Sequence, residues 1–132
     1  MGLTSLAALR DALQAAWSAD TSASSEWSEE NAAKGQCAVT ACVVQDYFGG
    51  DILRTIATLP NGQTVSHYFN LIDGQTVDCT HQQFPDGTTF SEPAPKTKGL
   101  ASTRDYCLSY PHTAWRYELL RTQVAAHLHR EK

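Results

Sequence analysis

Residues 38–44, AVTACVV, are the most restrictive stretch of the chain. They are almost wholly apolar, are entered through the polar approach AAKGQ and Cys37, and stop at Gly49-Gly50. A helix that is apolar on all sides belongs in a core, and a glycine supplies the left-handed conformation that closes it. Cys37 then sits at the helix start. Unpaired backbone N–H groups and the positive end of the helix dipole favour the thiolate form of a thiol there. Gly35 and Gln36 let the backbone approach closely and offer donors to a developing oxyanion. The structural alternative is that free cysteines are commonly small buried apolar residues. It suits Cys42, inside the helix, better than Cys37.

The remaining chain reads as one α+β domain over residues 1–132. Residues 3–17 carry Leu6, Leu9, Leu13, Ala16 and Trp17 at helical spacing, with Thr4 or Ser5 as cap. The Ser-, Ala- and acid-rich loop that follows includes Trp27 and a helical turn begun by Ser28. After the cysteine helix, DILRTIATL, TVSHYFNLI and TVDCT read as three strands joined by PNG and DG hairpins. FPDGTTFSEPAPKTKG reads as a surface loop. Residues 103–109 and 112–129 read as helices, the second with Trp115, Leu119, Leu120 and Val124 inward.

Composition excludes several functions. A formal net charge of −4 makes nucleic acid or an anionic membrane an unnatural partner. No apolar run approaches the roughly 20 residues of a membrane span, and the opening MGLTSLAALRDALQAAW has no basic segment ahead of an apolar core, as a secretory signal would. The cytoplasm is the expected location. Cys37, Cys42, Cys79 and Cys107 are then expected as thiols. Their spacing is wrong for structural zinc; Cys37 and Cys42 would stand about 140° apart on a helix. No metal and no cofactor is expected. Cys79, His81, Cys107 and His112 are the weaker set from which a metal module could be built.

A thiol nucleophile needs a base. Of five histidines, His67 is the one in mid-strand. With Asp73-Gly74 as a two-residue hairpin loop, Ile72 opposes Gln75, Phe69 opposes Asp78 and His67 opposes Thr80. His67 and Asp78 then share a sheet face as diagonal neighbours, roughly 7 Å apart. A carboxylate there can fix the tautomer of the imidazole and stabilise its protonated form. Asn70 falls on the other face; a turn one residue longer would bring it into contention instead. The structural alternative is a satisfied sheet histidine and a turn aspartate.

The blocks GQCAVTACVVQDYFGGDI, SHYFNLIDGQTVDCTHQQF and TRDYCLSYPHTAWRYELL resemble the YunG-type family of small bacterial proteins. The order of helix cysteine, strand histidine and aspartate resembles the transglutaminase-like branch of the papain-like cysteine hydrolases. The resemblance implies a papain-like α+β core, with the nucleophile helix on a small antiparallel sheet and flanking helices. It also implies catalytic roles for Cys37, His67 and Asp78. The expected activity is a cysteine-dependent amide hydrolase, deamidase or acyltransferase acting through a thioester on a small-molecule or peptide amide. The chain departs from papain-like enzymes in being short and in lacking a distant glutamine ahead of the nucleophile; Gln36 is adjacent to Cys37. Gln36, Trp27 and Asn70 are the oxyanion or substrate candidates, with Gln82 and Gln83 as further donors. A noncatalytic binding protein on the same scaffold is the competing expectation, and a homodimer is compatible with a small domain carrying exposed aromatics.

Overall fold

The computed structural model describes residues 4–130, the side chain of Arg130 excepted. Helix α2 (Cys37–Phe48) is the expected core helix. Six consecutive residues, from Val39 to Val44, are buried, so every face of the helix is covered. The sheet packs on one side and α4 (Pro111–Arg130) on the other. Valine is a mediocre helix former, but burial of each such side chain is worth about 1.5–3 kcal/mol and decides the conformation. Three polar ties fasten neighbouring elements to α2. Trp17 Nε1 donates to Thr40 Oγ1 (2.9 Å), Asn70 Nδ2 to the Ala41 carbonyl (2.9 Å), and Arg104 Nη1 to the Cys42 carbonyl (2.9 Å). Gly49 closes the helix at φ 71°, its N–H donating to Gln45 O.

Helix α1 (Leu6–Ala16) is shorter than expected. Ser5 is its cap, accepting from Ala8 N at 3.0 Å, and Leu3 lies outside the described residues. It buries Leu9, Ala12, Leu13 and Ala16 and packs against α4. Helix α4 presents Tyr117, Leu120 and Val124 to the core, and Leu128 packs against the same cluster. Trp115, expected inward, is 60% exposed. Two residues before Tyr117 is roughly 200° around a helix, off the 3- and 4-residue stripe. The short helix α3 (Thr103–Leu108) carries Arg104, which pairs with Asp46 at 2.9 Å and donates to Tyr117 Oη at 2.8 Å. One guanidinium thereby joins three helices.

The sheet is antiparallel, in the order β3-β2-β1-β4. Strands β1 (Asp51–Thr58) and β2 (Thr64–Ile72) match the expectation. Strand β3 is shorter than expected, Gln75–Val77. At the DG hairpin both Asp73 (φ 51°) and Gly74 (φ 77°) take positive φ, as a two-residue primed turn requires, and Ile72 pairs with Gln75. The segment expected as a plain surface loop supplies a fourth strand, β4 (Thr89–Phe90), on the outer edge of β1. Two residues carry no periodicity to betray a strand. The pairing is held by Ser91 N donating to Ile56 O (3.0 Å) and Thr55 Oγ1 donating to Ser91 O (2.6 Å). The helical turn expected at Ser28 is instead a tight turn, with Asn31 N bonded to Ser28 O at 3.1 Å. Among the described residues no helix is long and apolar enough to cross a membrane.

The loop ahead of Cys37 is pinned rather than slack. Ser22 Oγ donates to Lys34 O (2.7 Å), and Ala23 N to Gly35 O (2.9 Å). Gly35 has φ 75°, and a Cβ there would lie 2.3 Å from Ser22 Oγ. Gly62 also has positive φ, 89°, but open space around it. Gly62→Ala is therefore expected to cost about 1 kcal/mol from backbone strain, and Gly35→Ala about 2 kcal/mol or more, because strain and clash add. Urea denaturation of the two variants side by side measures this; equal losses would contradict the clash.

Candidate functional site

Strand β2 delivers His67 and the exit of β3 delivers Asp78. Asn70 pairs with Val77, so one further step of that register sets Asp78 opposite Phe69, on the face that carries His67. His67 Nε2 and Asp78 Oδ2 are 2.6 Å apart. Asp78 is itself oriented, its Oδ1 accepting from Thr80 N (3.2 Å) and Thr80 Oγ1 (3.5 Å). His81 Nδ1 lies 3.6 Å from Asp78 Oδ2 on the exposed side. His67 is 1% exposed, and the Phe84 ring stands edge-on to it at 4.8 Å between centroids. The ring is thus largely shielded from water, while Asp78 keeps one side toward solvent, and the enclosure strengthens the pairing.

Cys37 approaches from the other element. Strand β3 covers β2 only at residues 70–72, leaving Ser66 and His67 open on that edge to the start of α2. The thiol Sγ donates to the Ser66 carbonyl at 3.8 Å. With Nε2 committed to Asp78, the second nitrogen of His67, Nδ1, is sealed from solvent and makes no hydrogen bond. Burial disfavours the imidazolium, but the Asp78 hydrogen bond and the neighbouring Cys37 sulfur outweigh it, and the His67 pKa is pushed up to about 9. The sulfur is therefore near enough to act on the ring, while its own hydrogen bond goes to Ser66. A neutral His67 protonated on Nε2 would present Nδ1 as a free acceptor to the thiol proton. The other three thiols are buried, and burial raises each: Cys42 and Cys107 to about 12, Cys79 upward.

The structure brings Cys37, His67 and Asp78 together and leaves the other candidates elsewhere. Gln36 is fully buried, and its Nε2 donates to Ser18 O at 3.1 Å, so its amide anchors the loop behind the helix rather than facing the thiol. Trp27 Nε1 donates to Ala32 O at 2.9 Å and closes its own turn. Asn70 faces α2 and bonds to Ala41. The remaining donors are the backbone N–H groups of the first turn of α2, which no helix can satisfy internally. Gln83 is engaged as a clamp. Its carbonyl accepts from Asn31 Nδ2 (3.2 Å), its Oε1 from Gly35 N (3.5 Å), and its Nε2 donates to Thr80 O (3.0 Å). It ties the Asp78-bearing segment to the loop that delivers Cys37, a role no local pattern announces across 52 residues.

A cavity of about 410 Å³ opens on the sheet face of His67, lined by Thr55, Phe69, Asp78, His81, Phe90 and Glu92 among others. Cys37 is not among its lining residues. The metal set is not assembled: among the described residues no three His, Cys, Asp or Glu side chains are grouped to hold an ion.

These features define an α+β protein in which a helix-start thiol, a buried histidine and an aspartate converge. The chain belongs to the YunG protein family, whose model matches residues 5–129. It is 42% identical over 72 residues to the uncharacterized protein YunG of Bacillus subtilis (strain 168). That match covers 54% of this chain, and the chain spans about half (56%) of the length of that relative. No solved structure matches.

Because folding raises the His67 pKa, its stabilisation is whole below about pH 6.5 and is lost as pH rises through about 9. The expected midpoint of the His67 ring resonances in an NMR titration is about 9. Stability of the wild type should fall by about 3 kcal/mol relative to His67→Gln across that window. A midpoint near 6.5 would contradict the imidazolium–carboxylate pairing.

Proposed function

We propose that the chain is a cysteine-dependent amide hydrolase, deamidase or acyltransferase, and that its core is a transglutaminase-like member of the papain-like superfamily. One observation carries the proposal. His67 is fixed by Asp78 through Nε2, its enclosed Nδ1 has no hydrogen-bond partner, and the thiol at the start of α2 reaches the carbonyl of the preceding residue, Ser66. A buried ring nitrogen without a partner is costly, and a transferable thiol proton gives it a use. Four free thiols fit a reducing cytoplasm, which belongs to the same proposal.

The reaction would run as follows. In the reacting form His67 Nδ1 already holds the proton given up by Cys37, and the thiolate sulfur forms a bond to the carbonyl carbon of a small-molecule or peptide amide. The carbonyl π electrons move to oxygen, where the first backbone N–H groups of α2 hold the oxyanion. As the carbonyl re-forms, the C–N bond breaks and the amine leaves with the proton from His67. A thioester remains. Water or a second amine, deprotonated by His67, attacks it and restores the thiol. Asp78 keeps the ring aligned and compensates its charge throughout.

p-Nitrophenyl acetate tests this without a known substrate. The expected outcome is a hydroxylamine-labile acetyl adduct on Cys37 by peptide mass spectrometry, absent in Cys37→Ser and formed about 100-fold more slowly in His67→Ala. Acetylation confined to lysines would favour a noncatalytic binding protein on the same scaffold.

A further inference from the structure

On the thiol side of the sheet stands one cation that no carboxylate answers, Arg54, and a second, Lys96, lies further out beyond it. Ser66, whose carbonyl receives the thiol, shares a sheet face with Tyr68 two residues on, and Tyr68 stands directly across the ladder from Arg54. Thiol, tyrosine and guanidinium therefore follow one another along one face, spanning on the order of 10 Å. On its outer side Arg54 exchanges both backbone hydrogen bonds with Ala94 (2.8 and 3.0 Å). That brings in Lys96, whose N–H is held by Thr103 Oγ1 at 3.0 Å. Its Nζ lies over the Tyr106 ring, 5.8 Å from the centroid, and Tyr106 Oη meets Tyr110 Oη at 3.2 Å. Arg104 and Arg121 are ion-paired. Among the described residues Arg54 and Lys96 have no such partner, although Arg54 is half-buried in a chain of net charge −4. Glu92, close in sequence to Ala94, opens onto the His67 cavity instead.

Tyr68 reports the continuity of this surface. Burial pushes its hydroxyl above the ordinary value; Cys107, Tyr106 and Cys37 add to the rise, and Arg54 opposes it. The hydroxyl is thus within electrostatic reach of both the nucleophile candidate and the guanidinium.

We propose that this face selects acyl substrates bearing a carboxylate, held by Arg54 and steered by Lys96, while the scissile carbonyl lies at Cys37. The inference rests on Cys37 as the nucleophile. A guanidinium fork matches the two oxygens of a carboxylate. The fork's parallel donors lie in one plane, as the two oxygens of a carboxylate do, and the ammonium adds a second positive charge.

Two alkylating agents of near-equal size separate the claims. Iodoacetate carries a carboxylate and iodoacetamide is neutral; each leaves a carbon–sulfur bond and releases iodide. The rate ratio of iodoacetate to iodoacetamide at Cys37, read by mass spectrometry at low ionic strength, is taken relative to the same ratio in the urea-unfolded chain. A guanidinium on the order of 10 Å away in water predicts an enrichment of about two-fold, to which the more distant Lys96 adds a smaller part. The enrichment should be largely lost in Arg54→Gln, fall less in Lys96→Gln, and vanish in wild type at about 1 M salt, where the Debye length is near 3 Å. A ratio unchanged in both variants overturns the proposal. Taking a ratio cancels any general change in thiol reactivity. A slow iodoacetamide rate alone counts against the nucleophile and still leaves the ratio readable, so the two claims fail separately. At matched ionic strength, acetate should retard iodoacetate more than inorganic phosphate does; the reverse order overturns the choice of a carboxylate.

Discussion

Enclosing α2 on every side is the constraint from which the arrangement follows. Residues from Val39 to Val44 are all buried, and no single partner can cover a helix that is apolar all round. The sheet, α4 and, through Trp17, the end of α1 share the task. Each contributes a side-chain donor or an apolar stripe, and Arg104 locks α3 onto α2 and α4. The helix cannot slide without breaking these ties together. Its first residue is consequently held at one place, beside the stretch of β2 that β3 leaves uncovered. Cys37 owes its position to a core that it does not itself enter.

The chemistry at that position comes from opposing effects of comparable size. Burial of His67 works against its charged form, and in an apolar pocket alone the imidazole would be neutral and weakly basic. Asp78 at 2.6 Å and the Cys37 sulfur reverse the sign. Phe84 packs edge-on against the ring and covers part of it. The clamp by Gln83 and the pinned Gly35 loop hold the two halves in register, which matters because hydrogen-bonded proton transfer tolerates little misplacement. The two sides of the sheet also differ in polarity. Asp78 and Glu92 line the cavity beside His67, whereas Arg54 and Lys96 occupy the face on the thiol side.

What was legible in the sequence was what repeats or what a turn dictates. The apolar run gave α2, and period-two strands with an Asp-Gly turn gave β1, β2 and the register that carries Asp78 toward His67. What escaped depended on contacts between distant residues. Strand β4 has two residues and exists because Ser91 finds Thr55 and Ile56. Gln36 looked like an oxyanion donor by adjacency, but its side chain is drawn inward to Ser18. Trp115 was assigned to the core by its hydrophobicity, yet it lies off the buried stripe. Trp27 and Gln83 proved to be loop fastenings, which depend on carbonyls that no side-chain pattern encodes.

The central claim is that His67 activates Cys37 selectively. Its most direct test is the site-resolved rate of iodoacetamide alkylation against pH, for wild type and His67→Ala. The account predicts that Cys37 reacts first among the four thiols, already well below about pH 8.5 where an ordinary thiol is half ionised, and that this advantage disappears in the variant. Slow, uniform labelling of all four cysteines, or a Cys37 profile indifferent to His67, would contradict it.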